Sequence, residues 1–327
     1  MTEQLGPVSV ALCTFNGGAF VAEQIESILN QDHRVAEIIV ADDGSTDDTL
    51  SIVAAYVEEA RKLSVQIRVF EAEGGPLGPT RNFERAISKT SHQLVALSDQ
   101  DDVWALDRVS KGVRALRETG AWLCVSNAEL VDAVGHPIGR TMFQSMSVLP
   151  STGIRQWRTL LMKANRFPGM TYIFVKDDAE KVLPVPTSWM HDYWLVISAL
   201  AADRLTVIDD PLVRYRQHAS NAIGVTENVV PRSGAKVSRA LSRSISGDKD
   251  ARRWLNASAQ FERFTFGDRE LRVLFEEKIA FERERSTLPV ARWRRAWPIL
   301  RMLLQGRYRR LGVAGVKGAA RDLAARY

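Results

Sequence analysis

Gln93-Leu94-Val95-Ala96-Leu97-Ser98-Asp99-Gln100-Asp101-Asp102-Val103-Trp104 is a short apolar run that ends in three carboxylates within four residues. Its first part has the length and unbroken hydrophobicity of a strand buried on both faces of a parallel sheet. Carboxylates this close repel one another and raise each other's pKa unless a cation sits among them. With no cysteine and few histidines nearby, the run suits a hard divalent ion, Mg²⁺ or Mn²⁺, which keeps several waters and takes further ligands from substrate phosphates. The other reading is a solvated acidic loop before the next helix, which has Asp107 in its first turn.

Upstream, Val8–Cys13 reads as a first strand that stops at Thr14-Phe15-Asn16-Gly17-Gly18, where paired glycines permit a tight turn into a helix over Ala19–Asn30. Glu37–Ala41 is a second strand, ending in Asp42-Asp43-Gly44-Ser45-Thr46-Asp47-Asp48. Ser45 and Asp48 resemble a capping box for a helix over Leu50–Leu63. Ile67–Phe70 is a third strand, and the Gly/Pro-rich loop Gly74–Pro79 leads into a helix carrying Phe83, Ala86 and Ile87. Past the acidic run, Leu106, Val109, Val113 and Leu116 share one helix face, and Trp122–Ser126 is a fifth strand. This alternation predicts an α/β fold, an open and mostly parallel sheet flanked by helices. Right-handed crossovers put the strand C-termini along one edge, where such sheets bind ligands. Thr14–Gly18, Asp42–Asp48 and Ser98–Trp104 all fall there.

The 327 residues, 45% hydrophobic and 25% charged, have an ordinary soluble globular composition, enough for one large domain and an appendage. Cys13 and Cys124 lie in apolar strand-like runs and read as reduced core residues of a reducing compartment. Met1–Gly6 does not read as a signal peptide. No run of about 18 apolar residues spans a bilayer; Trp189–Ala202 comes closest, and His191 and Asp192 interrupt it. The net charge of +5 hides an asymmetry: residues 1–230 carry 21 basic and 29 acidic side chains, residues 231–327 carry 23 and 10. An acidic front and a basic tail imply different partners. Past Asn127 the alternation becomes irregular. A helix holds Trp157, Leu160, Leu161 and Ala164; a turn at Phe167–Met170 precedes a strand over Thr171–Val175. A buried helix from His191 and strands at Thr206–Ile208 and Leu212–Arg216 follow.

Ala11-Leu-Cys-Thr14-Phe15-Asn16, Asp42-Asp43-Gly44-Ser45, Ser98-Asp99-Gln100-Asp101-Asp102-Val-Trp104 and His191-Asp192-x-Trp194 together resemble the family-2 inverting glycosyltransferases of GT-A fold. Asp99-Gln-Asp-Asp and Tyr215-Arg216-Gln217-His218-x-x-Asn221 are most similar to bacterial rhamnosyltransferases, and the resemblance covers residues 8 to about 224. It implies a catalytic domain over 1–230, with a nucleotide-binding half at 1–127 and an acceptor half at 128–230. Residues 231–250, rich in Ser, Gly and basic side chains, read as a linker or mobile loop. Residues 251–327 form a helical basic C-terminal region, with helices near Ala251–Phe264, Asp268–Glu284 and Val290–Gln305.

The resemblance also implies roles. Thr14 and Phe15 would line the base pocket, and Asp43 would accept from the pyrimidine edge. Asp42 is a structural neighbour. Arg81 would lie near the nucleotide, or serve only as a helix start. Asp99 would face the ribose and Asp101 would bind the metal, with Gln100 between them and Asp102 as an auxiliary ligand. Trp104 would pack over the sugar or sit in the core. Asp192 would be the catalytic base, with a pKa raised by its apolar neighbours Met190, Tyr193 and Trp194, or else a helix-dipole aspartate, while His191 and Trp194 would lie in the donor and acceptor pocket. Gly169 and Met170 would line the donor and acceptor pocket. Arg216 would pair with phosphate oxygens. His218 would bind metal or diphosphate, or be a satisfied polar residue.

The implied activity is inverting transfer, dependent on Mg²⁺ or Mn²⁺, of a sugar from a dTDP- or UDP-sugar to a cell-surface glycan or lipid-linked acceptor. dTDP-L-rhamnose is the expected donor, and the expected location is the cytoplasm or the inner face of the plasma membrane. A sugar-nucleotide pyrophosphorylase is less well matched, because Thr14–Gly18 lacks that class's basic residues. A scaffold is the third reading. In the tail, Arg292-Trp-Arg-Arg-Ala-Trp297 through Arg310 mixes arginine with aromatic and aliphatic residues, as a membrane-surface helix or a packed basic appendage would. No nucleic-acid-binding module accompanies it.

Overall fold

A computed structural model describes residues 6–33, 35–148, 154–218, 247–262, 264, 266–312 and 315–324. They fall into two compact units. The first lies within Met1–Ser151, Phe167–Val185 and Met190–Val225, and the second within Thr152–Arg166, Pro186–Trp189 and Thr226–Tyr327.

The first unit is built on strands β1 (Val8–Thr14), β2 (Val35–Asp42), β3 (Gln66–Glu71) and β4 (Leu94–Ser98), interleaved with helices. These helices are α1 (Val21–Leu29), α2 (Thr49–Ala55), α3 (Val57–Lys62) and α4 (Pro79–Lys89). β1 is buried at every residue and β2 at all but one, as strands covered on both faces must be. Parallel pairing runs β3-β2-β1-β4. The expected helix over Leu50–Leu63 is interrupted at Tyr56, whose hydroxyl donates to Glu26. The expected capping box is absent, because Ser45 donates to Asp42 at 2.6 Å and Asp47 takes the Thr49 N–H instead.

Beyond β4 the sheet becomes mixed. Next in the chain come β5 (Val103–Trp104), α5 (Arg108–Thr119), β6 (Leu123–Val131), β7 (Pro137–Thr141) and α6 (Met142–Ser145). β8 (Tyr172–Val175), α8 (Lys176–Glu180), α9 (His191–Ala201) and β9 (Leu205–Arg216) follow α7 (Ile154–Lys163), which belongs to the second unit. β8 runs antiparallel to both β4 and β6, β9 is parallel to β6, and β5 is antiparallel to β9. The described strands thus form one nine-stranded sheet, with β7 paired to β6 off the main path. The two strands expected over Thr206–Arg216 are one, shifted in register against β6 near Pro211, which cannot donate a ladder hydrogen bond. α9 is buried nearly all round, so it lacks an amphipathic pattern. Truncating Leu195, fully buried there, to alanine should cost about 2–5 kcal/mol. Cys13 and Cys124 are free and buried, as expected.

In the second unit α7 groups with α10 (Gly247–Asn256), α11 (Ser258–Phe261), α12 (Arg269–Ser286), α13 (Arg292–Leu304), α14 (Arg307–Leu311) and α15 (Gly315–Ala324). Gly247–Asp250, counted above with the linker, begin α10. Residues 231–246 and Asn221 lie outside the described residues. Trp189, Trp254, Phe261 and Phe275 make one aromatic cluster. Phe281, Ile299, Met302, Tyr308 and Leu311 make another core. Lys278 and Arg285 are buried beside Glu282, and Arg285 also reaches Asp322, so these four buried charges are paired. Among the described residues no helix is long and apolar enough to cross a membrane.

Candidate active site

The C-terminal ends of β1, β2 and β4 are neighbours in register, and side chains stitch them together. Thr14 donates to the buried Asp42 at 2.7 Å, and the Asp43 N–H donates to the Thr14 carbonyl at 2.9 Å. Asp42 also accepts from Ser45 and the Gly44 N–H, so its carboxylate is taken up in holding the turn after β2. Asp43 accepts the Leu77 and Gly78 N–H groups at 2.6 and 2.9 Å, so it fixes the loop before α4. Asn82 extends the link, donating to the Ala41 carbonyl at 2.7 Å. Arg81 is exposed in the first turn of α4 and pairs with Glu84.

From the acidic loop, Gln100 reaches back to β1. Its Oε1 accepts the Phe15 N–H at 2.8 Å, and its Nε2 donates to the Phe15 carbonyl at 3.0 Å. This close approach requires glycine at position 17, where a Cβ would lie 2.2 Å from Gln100 Oε1. The Phe15 ring is left 48% exposed at the strand end.

The three aspartates have different surroundings. Asp99 is half-buried; burial first, then the charges of Asp101 and Asp192, push its carboxyl up to about 7. Asp102 is buried and held well above the carboxylate range by burial and by Asp101 and Asp99. The Arg216 N–H, which it accepts at 3.1 Å, and Arg108 pull it back. Asp101 Oδ2 meets His218 Nε2 at 2.8 Å, and the His218 ring stacks on Phe20 at 4.8 Å.

Arg216, expected to fork onto phosphate, is 3% exposed. Its guanidinium donates to the Asp101 and Ala133 carbonyls and to Glu23, and lies over Phe20. It therefore shapes the acidic loop from behind. Trp104, expected over the sugar or in the core, and Trp194, expected in the donor and acceptor pocket, are core side chains, 4% and 1% exposed. Trp104 lies under the Arg108 guanidinium at 3.6 Å, and Trp194 donates to the Val182 carbonyl at 2.7 Å.

Asp192 is half-buried at the start of α9, with its Oδ1 accepting the Tyr193 N–H at 2.6 Å. Gly169, in the turn before β8, packs against this helix start; a Cβ there would lie 2.9 Å from His191 Nε2 and 3.3 Å from Asp192 Cβ. His191 is buried, stacks on Phe83 at 4.1 Å, and is held neutral by burial, with its pKa down at about 3. Met170 is buried, and its carbonyl accepts from Arg108 at 2.7 Å.

Arg108 is the residue sequence reasoning missed. It is 1% exposed and also donates toward the Leu97 and Tyr172 carbonyls, which ties the end of β4 to the Gly169–Thr171 turn. Its one signal is spacing, since Arg108, Gly112 and Leu116 fall on the buried stripe of α5. Glu23 and Phe20, which hold Arg216 and His218, carry no motif signal.

A divalent cation fits the chemistry here. Asp101 and His218 present a carboxylate and an imidazole to one another, and crowded carboxylates beside them are relieved by positive charge. Among the described residues no group of three or more His, Cys, Asp or Glu is placed to hold an ion.

The sequence model of glycosyl transferase family 2 matches residues 9–177. Among curated proteins the chain is 26% identical over 225 residues to the dTDP-rhamnosyl transferase RfbG of Shigella flexneri, over 65% of this chain and 73% of that one. It is 22% identical over 221 residues to an uncharacterized glycosyltransferase of Nostoc sp., over 65% of this chain and 66% of that one. Among solved structures, S. aureus TarS 1–349 in complex with UDP-GlcNAc matches with TM-score 0.59 at 17% identity, over 98% of this chain and 89% of that one. The mannosyltransferase PcManGT of Pyrobaculum calidifontis, in complex with GDP-Man and Mn²⁺, matches with TM-score 0.52 at 16% identity, over 97% and 86%. At such identities the structures speak for the fold, a curled mixed sheet flanked by helices.

Proposed function

The chain belongs to glycosyl transferase family 2 and is a glycosyltransferase of α/β, GT-A-like fold, and from that premise we propose that it inverts the anomeric centre as it transfers a sugar from a nucleotide donor. The observation that carries the reading is the joining of the Phe15 strand end to the acidic loop through Gln100, next to Asp43. The Phe15 ring offers a face to a base, and Asp43 and Asp99 flank the place of the nucleoside. The family relation to RfbG, named a dTDP-rhamnosyl transferase, favours dTDP-L-rhamnose as donor, with a UDP-sugar as the alternative.

Asp101 and His218 would hold Mg²⁺ or Mn²⁺, which when bound supplies positive charge for a leaving diphosphate. PcManGT, of like fold, was solved with Mn²⁺ and its nucleotide sugar. Asp192 removes the acceptor hydroxyl proton as the oxygen bonds to the anomeric carbon and the bond to the diphosphate oxygen breaks. One base suffices and no covalent intermediate forms. Gly169 keeps side-chain bulk away from Asp192 and His191. The acceptor is a cell-surface glycan or its lipid-linked precursor, met on the cytoplasmic side of the plasma membrane.

The test is a donor panel of dTDP-, UDP- and GDP-sugars with Mn²⁺, with released nucleoside diphosphate as readout and product configuration by NMR. Turnover of one donor with inverted product supports the reading. Release of pyrophosphate from a nucleoside triphosphate and a sugar phosphate, with no diphosphate from any donor, would replace it with pyrophosphorylase chemistry.

A further inference from the structure

The second unit carries an apolar stripe that its own core does not use. On α13, Trp293, Trp297, Leu300 and Leu304 are 75, 69, 45 and 77% exposed. Their spacing of four, three and four residues places them on one helical face. The opposite face is already satisfied: Arg295, Ile299 and Met302 are buried, and Ile299 and Met302 pack with Phe281, Tyr308 and Leu311. The helix thus has an inner face that packs and an outer face of two tryptophans and two leucines. Exposed aromatic clusters of this kind mark interaction surfaces.

The charge around the stripe restricts its partner. Residues 286–321 contain nine Lys or Arg and no Asp or Glu; of these Arg295 is buried, and Arg301, Arg307 and Arg310 pair with Glu284 and Glu277. Arg294 and Arg301 are exposed on α13, and the Arg294 guanidinium lies 4.8 Å from the Trp293 ring centroid. A second copy of the chain would set the same cations against each other, which is unfavourable. An anionic bilayer offers both requirements at once, apolar depth for the tryptophans and phosphate charge for the arginines.

We propose that the Trp293–Trp297–Leu300–Leu304 face of α13 docks on anionic phospholipid membranes, with the neighbouring arginines at headgroup level. The surface lies within the second unit and does not depend on the identity of the donor.

Co-sedimentation of the full chain with phosphatidylcholine vesicles, with and without phosphatidylglycerol, tests it. The expected result is binding to the mixed vesicles at least about tenfold stronger than to the neutral ones, weakened by salt. Trp293→Ser with Trp297→Ser should lower that binding by at least about tenfold, and Arg294→Glu should weaken it. Both Trp side chains are exposed, so the double variant should keep its melting temperature and its turnover of a soluble donor. Equal vesicle binding by wild type and variants overturns the proposal. So does a chain that ignores vesicles, whether monomeric or forming a dimer that the double Trp variant dissolves.

Discussion

The Gln100 side-chain amide pairs with both backbone groups of Phe15, accepting its N–H at 2.8 Å and donating to its carbonyl at 3.0 Å. A side chain thereby takes the place of a missing ladder partner beyond the end of β4, and locks the acidic loop to β1. Gln100→Ala removes both bonds and should cost about 1–2 kcal/mol of stability. It should also lower kcat/KM by about 10–100-fold as the loop loses its register. Gly17→Ala should act similarly, because its methyl group would fall 2.2 Å from Gln100 Oε1. Thermal melts and donor turnover on both variants check this; unchanged turnover in both would disconnect the pair from function.

Asp192 is the proposed base for the acceptor hydroxyl, at the start of α9. Asp192→Asn should therefore lower kcat by about 10²–10⁴-fold while leaving nucleoside diphosphate affinity unchanged. Calorimetry beside steady-state kinetics separates the two effects. A wild-type rate in this variant removes Asp192 from the chemistry.

His191 supplies a pH dependence of stability. Its folded pKa is about 3 against an ordinary 6.5, because burial disfavours the imidazolium. As pH falls below about 6.5 the unfolded chain takes up a proton that the folded chain refuses until about 3. Stability from this group is therefore complete above about 6.5 and declines toward pH 3. Melting temperatures of wild type and His191→Gln from pH 7 to 4 should change in the variant's favour as pH falls. Parallel curves would contradict the assignment.

Arg108 compensates Asp102 and satisfies three carbonyls from within the core. Arg108→Met takes the guanidinium from those acceptors and leaves Asp102 with the Arg216 N–H but without the compensating charge, at a cost of about 3–5 kcal/mol. Urea denaturation measures it. A loss below about 1 kcal/mol would mean that the guanidinium is not what ties β4 to the Gly169–Thr171 turn.

Much of the fold was legible because buried parallel strands announce themselves: Val8–Cys13, Glu37–Ala41 and Leu94–Leu97 are apolar runs, broken only by the hydrogen-bonded pair Ser9 and Glu37, that end in Gly- or Asp-rich turns. The meeting of those ends was legible for the same reason, since crossover handedness leaves one edge for all of them. Long-range polar partners were not. Nothing local says that Gln100 will bond Phe15, that Arg216 will turn to Glu23, or that Trp104 will sit beneath Arg108. The mixed half of the sheet was hidden as well, because β5 is only two residues long and β9 carries Pro211.

The proposed site joins the ends of β1, β2 and β4 and takes a nucleoside diphosphate together with a cation. Titration calorimetry of dTDP and UDP into wild type and Asp101→Asn, with and without Mn²⁺, tests it most directly. The expected result is binding by the wild type only when Mn²⁺ is present, and at least about 100-fold weaker binding by Asp101→Asn. Diphosphate binding that is equal without Mn²⁺, or equal in the two proteins, would contradict it.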